Sequence, residues 1–111
     1  MTTVTQVLLT PTTQLGSSDA SVYTAPTNTT AKIGRAIFAS VTSSAVTIYS
    51  GITTGGALGA SNQLLQRSLA GYETYVSPEL AGAVIVAGSQ IHAYASASTS
   101  VNFTVSGLTI V

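Results

Sequence analysis

The stretch "VNFTVS", residues 101 to 106, is the most constraining feature of this sequence. Val101, Phe103 and Val105 alternate with Asn102, Thr104 and Ser106. A period of two puts the apolar set on one face and the polar set on the other, as a half-buried β-strand requires. Just upstream, Ile91, Ala93, Ala95 and Ala97 alternate in the same way with Gln90, His92, Tyr94 and Ser96. The intervening "SASTSV" predicts a hairpin between the two. "AVTIYS" repeats the pattern, with Val46 and Ile48 on one face and Thr47 and Tyr49 on the other. "KIGRAIFASV" is apolar on both faces in parts, which predicts a strand covered on its two sides. Helix-favouring Leu, Glu, Lys and Arg are sparse, while Thr, Val, Ile and Tyr recur in short runs broken by Gly, Pro and Ser.

Weaker strand signals lie in "NQLLQRSL" and "YETYVS", joined by a turn at Ala70-Gly71, with a second turn at Ala87-Gly88. The glycine-rich stretch Gly51 to Ala60 reads as the longest loop or a hairpin tip. "YTAPTNTTAKI" resembles a linker in composition. Its Pro26 and Asn28 are turn residues, however, and Thr30 to Ile33 open the next strand, so it is expected to be a corner. The sum is an all-β chain: one antiparallel β-sandwich, jelly-roll-like, of seven or eight short strands. Residues 1–16, with "VTQVLL", form an N-terminal arm or edge strand, and 17–111 form the sandwich.

Composition excludes several functions. The 111 residues suit one domain, and a hydrophobic share of 45% is that of a globular protein. Three basic residues (Lys32, Arg35, Arg67) balance three acidic ones (Asp19, Glu73, Glu79), giving zero net charge. That is too little positive charge for a nucleic-acid partner. So few charges also leave a lone copy with little colloidal repulsion, which favours life in an assembly. The absence of cysteine removes disulfides and thiolate metal sites. "MTTVTQVLLT" lacks the basic start of a signal peptide. The longest apolar run, Leu80 to Gly88, is about half the ~20 residues of a membrane helix, so no membrane partner is expected.

Catalytic chemistry has little material. The single histidine, His92, is expected at a surface position between buried Ile91 and Ala93. A triad drawn from Asp19, His92 and a serine lacks the G-x-S-x-G elbow. Glu73 and Glu79 could form a carboxylate pair, but solubility and turn chemistry account for them. "SGITTGGALGAS" has no G-K-[ST] and is no phosphate loop. No catalytic, metal or cofactor-binding residue is assigned, and one or two of the basic residues are expected in ion pairs at a subunit contact. The five tyrosines suit either sugar stacking or subunit contacts, and contacts are preferred because Tyr is enriched at interfaces.

From about Ser17 onward the order of features resembles small virion proteins of tailed bacteriophages. It runs from the "YTAPTNTTAKI" corner through an apolar strand, "SSAVTIYSG", a Gly/Ala/Ser loop and "LLQRSLAGYETY" to "VIVAGSQIHAYASASTSVNFTVSGLTI". The final V-N-x-x-V-S-G is matched by Val101, Asn102, Val105, Ser106 and Gly107. The resemblance implies a β-sandwich in a phage particle and a structural role without catalysis. The preferred form is a cement or decoration protein: a homotrimer on the outside of the head, with the major capsid protein as partner. The alternative is a tail, baseplate or fibre module that touches host carbohydrate. On this reading contacts fall on Thr2, Val4, Val7 and Leu9 of the arm, Ile52 and Leu58 of the glycine-rich stretch, and Tyr49, Tyr72, Tyr75 and Tyr94.

Overall fold

The structure, a computed structural model, describes residues 3–111. Among the described residues there are nine strands: β1 (Val4–Gln14), β2 (Ser21–Thr24), β3 (Thr30–Ser40), β4 (Val46–Thr53), β5 (Gln63–Leu69), β6 (Thr74–Val76), β7 (Val84–Ile85), β8 (Gln90–Ala95) and β9 (Val101–Ile110). Sheet A runs β1-β9-β3-β6, with β7 also on β3, and sheet B runs β2-β8-β4-β5. All pairs are antiparallel.

The pairing defines a rolled ribbon. β1 lies on β9, β2 on β8, β3 on β6 and β7, and β4 on β5, so the first half of the chain pairs in order with the second. Rolling that ribbon brings β9 against β3 and β8 against β4. This is the jelly roll. The strand count exceeds the seven or eight expected because one strand position is split. Pro78 and Gly82 (φ 82°) fall between β6 and β7, and both of those short strands pair with β3. The strands are also not uniformly short, since β1 and β3 each have 11 residues and β9 has 10.

Alternation placed the faces correctly but not the sheets. β8 and β9 show the expected periods, yet they belong to different sheets, so "SASTSV" is an arch across the sandwich rather than a hairpin. Periodicity reports which side of a strand is buried and carries nothing about which strand lies beside it. β3 is not covered on both sides either. Ile33, Ala36 and Phe38 are buried while Lys32, Gly34 and Arg35 are exposed. A bulge between Ile33 and Arg35 advances the phase by one residue, which makes the sequence look apolar on both faces. Opposite the bulge, a Cβ on Gly107 would lie 2.0 Å from the Lys32 carbonyl oxygen, so only glycine fits.

The "YTAPTNTTAKI" corner is as expected. Asn28 adopts φ 61°, the Thr29 N–H donates to the Pro26 carbonyl at 3.1 Å, and the chain crosses from β2 in one sheet to β3 in the other. Between the sheets, Phe38 and Phe103 stack at 4.3 Å between ring centroids. Ile48, Leu65, Leu69 and Ile91 of sheet B cover them from the opposite side of the same buried core.

Candidate interaction surfaces

His92 corrects the expectation of an exposed surface position. It does lie on the outer face of sheet B, opposite Gly51 of β4 and Ser21 of β2. Yet it is only 6% exposed, because two loops fold over it. The Asp19 Oδ1 carboxylate oxygen sits 2.7 Å from Nδ1, while its Oδ2 accepts the Leu58 N–H at 2.9 Å. Leu58 in turn lies over Gly51, where a Cβ would come within 2.6 Å of its Cδ1 and 2.3 Å of the Asn62 carbonyl oxygen. Asp19 therefore clasps the β4–β5 loop onto the sheet. Burial pulls its carboxyl upward, but the Leu58 N–H, the bond to and charge of His92, and the Ala20 N–H together hold it below its ordinary value.

The sequence offered Asp19 and His92 as two members of a triad, and the fold does bring them together. The third place is taken by an amide. Nε2 of His92 meets Gln90 Oε1 at 2.8 Å. Because either end of an amide can face the ring, Gln90 caps that nitrogen whichever tautomer the imidazole adopts. Among the described residues, no hydroxyl is hydrogen-bonded to that nitrogen as a nucleophile would have to be. Among the described residues, no three of His, Cys, Asp and Glu come together as a metal-binding group.

A second polar cluster closes one side of the sandwich. Arg67 on the outermost strand of sheet B places its guanidinium 4.3 Å above the ring of Tyr75, on the edge strand of sheet A. The Tyr75 hydroxyl donates to Glu79 Oε1 at 2.6 Å, and Arg67 also faces Glu73 at 3.7 Å. That bond to Glu79 raises the Tyr75 phenol above its usual range, with burial and the Glu79 charge adding to it. In return the Tyr75 hydroxyl lowers the Glu79 carboxyl; Ser77 and Arg67 help, against the opposing effect of burial. Each glutamate serves its own turn: Glu73 Oε1 accepts the Ala70 N–H at 2.7 Å, and Glu79 accepts Ser77 at 3.1 Å. They do not form a carboxylate pair. Of the three basic residues, one or two of which were expected in ion pairs at a subunit contact, Arg67 is engaged within its own chain.

The remaining contact residues fall in different environments. Thr2 lies outside the described residues. Val4 and Val7 are exposed on β1, but Leu9, beyond the regular part of that strand, is 6% exposed and packs inside the sandwich. Ile52 also faces inward and packs against the core, and Leu58 is half-buried in the clasp. Leu9 is thus closed to a partner, while Ile52 keeps only part of its surface exposed. Tyr49 and Tyr94 are cross-strand neighbours on the outer face of sheet B, stacked at 4.5 Å and 13°. Each thus spends one ring face on the other. Tyr75 is half-buried, while Tyr72 is 70% exposed, held at φ 58° where its N–H bonds the Thr42 carbonyl at 2.9 Å. Sequence reasoning passed over Leu64, Val84 and Val86, which are exposed on strands or beside them. Their signal was an apolar residue out of phase with its strand.

Neither protein-family models nor curated protein sequences give a match to this chain. Among solved structures, a chain in "Structure of infectious bursal disease virus Gx strain" superposes with a TM-score of 0.50 at 11% identity, covering 99% of this chain and 32% of that one. The likeness is one of fold. A chain in the structure of the Gt strain gives a TM-score of 0.44 at 12% identity, covering 98% of this chain and 32% of its own length. The protein described here thus spans about a third of the length of those chains.

Proposed function

We propose that this chain is a non-enzymatic structural protein of a virus particle, of the cement or decoration kind. It would bind the outside of a tailed-phage head, seated as a homotrimer where subunits of the major capsid protein meet. The observation that carries the reading is the jelly-roll order, shared over 99% of the chain with part of a protein in a virus structure. The phage-like order of corners and strands from Ser17 onward supports the finer setting. The capping of His92 by Gln90 supports a role without catalysis. A protein that binds only the assembled shell stabilises that shell by mass action, and repetition over a lattice multiplies the effect.

The test is the copy number of this chain in purified particles, by quantitative mass spectrometry against the major capsid protein. A ratio near one to one, or near a simple fraction, is expected. A handful of copies per particle would move the protein to the tail, as a baseplate or fibre module facing host carbohydrate. Absence from particles would end the virion reading.

A further inference from the structure

We propose that the first half of β1 pairs with the same segment of a second copy across a two-fold axis, joining sheet A of one chain to sheet A of the other. The inference is independent of where on a particle, or whether on a particle, the protein works.

The backbone carries the argument. Thr3 and Val111 exchange both hydrogen bonds, each at 2.9 Å. In an antiparallel ladder such doubly bonded pairs alternate with unbonded ones. The register then runs Val4↔Ile110, Thr5↔Thr109, Gln6↔Leu108, Val7↔Gly107 and Leu8↔Ser106 without a break. Thr5 and Val7 therefore spend their N–H and C=O groups on β9, whereas Val4, Gln6 and Leu8 aim theirs at the open edge. Both β1 and the segment Thr3 to Leu8 lie at the rim of sheet A, and every residue from Thr3 to Leu8 is exposed.

The open groups are self-complementary. Placing Gln6 opposite Gln6 of a second copy sets Val4 opposite Leu8 and Leu8 opposite Val4. Each of those three pairs then forms two bonds, so every free group is used. The side chains agree with this register. Val4 (59% exposed) and Leu8 (49%) share one face of the strand, so each apolar side chain meets the other across the seam, with an amide pair between.

The segment also carries no charge, proline or bulge, devices that keep sheet edges apart. β1 has Pro11 and register shifts between Leu8 and Thr10 and between Thr10 and Thr13, all beyond this segment. Neither β1 nor β9 carries a charged residue, so two copies meet without repulsion and an oppositely charged partner gains nothing. A second copy is the occupant that this neutral, two-fold edge fits.

A strand seam alone covers less than the ~1,200 Å² of a stable complex, so association is expected to fall on dilution. The chain is therefore weighed by light scattering at about 1 mM, the effective concentration a tethered neighbour supplies. The mass expected is that of two chains, or of two trimers. Val4→Lys with Leu8→Lys places ammonium groups opposite one another and should halve that mass. Val4→Lys with Leu8→Glu places opposite charges across the same register and should restore it. Amide exchange gives a residue-level readout: Val4, Gln6 and Leu8 gain protection with concentration, while Thr5 and Val7 are protected throughout. A single chain or an unpaired trimer at that concentration, or a mass unchanged by the double lysine variant, overturns the pairing. Either result leaves the copy-number test of the virion reading intact.

Discussion

The two edges of sheet A are built on opposite principles. At one, β6 and β7 are only three and two residues long. Tyr75, Arg67, Glu73 and Glu79 surround that edge with a ring stack, an ion pair and carboxylate hydrogen bonds. At the other, β1 presents a regular, neutral, exposed run from Thr3 to Leu8. Short, charged and interrupted edges resist pairing, while long neutral ones invite it. The contrast teaches that one side of the sandwich is finished within the chain and the other is left for a neighbour.

The largest expected effect comes from breaking the finished edge. Tyr75→Ala removes a ring that packs on the core and carries the Arg67 guanidinium. Because the ring is half-buried, a loss of about 2 kcal/mol is expected, below the ~3–5 kcal/mol of a fully buried aromatic. Leu8→Ala at the open edge should change stability by no more than about 0.5 kcal/mol. Urea unfolding of the two variants at low protein concentration checks the difference; equal losses would erase the contrast.

Acid should separate the edges as well. Asp19 and Glu79 are both held below their ordinary values of 3.8 and 4.5. The stability they contribute is full above those values and is lost as pH falls through the depressed folded ones. In that window the clasp over His92 and the Tyr75 edge should lose amide protection first. The β1–β9 ladder, which carries no titratable side chain, should keep its protection until global unfolding. Acid-sensitive protection at Thr5 and Val7, with the rest of the fold intact, would contradict this.

The smallest effect is expected at the surface ion pair. Glu73→Gln keeps an acceptor for the Ala70 N–H and loses only the contact with a half-exposed Arg67. About 0.5 kcal/mol or less is expected, and less again in high salt. A larger loss in the same unfolding assay would mean that the ion pair, rather than the Tyr75 ring, seals this edge.

Much of the fold was legible because burial writes itself into a strand with period two. Val101, Phe103 and Val105, or Val46 and Ile48, announce their inner faces in this way, and Pro26 with Asn28 announces a corner. The candidate surfaces were far less legible. Val4 and Val7, named as contact residues, lie exposed on β1, but Leu9 is buried and Ile52 is half-buried against the core. His92 was assigned the right face of its strand and the wrong exposure, since its cover comes from Asp19 and Leu58, distant in sequence and joined to it by loops. By itself, then, the sequence determined strand faces, corners and a charge-poor β-rich surface, because these depend on local sterics and on the solvation of each residue. Only the tertiary structure decided that β8 and β9 part into different sheets, that Arg67 closes over Tyr75, and that β1 keeps an open edge. Those outcomes depend on which strands become neighbours, and strand pairing is a non-local choice that alternation along the chain does not encode.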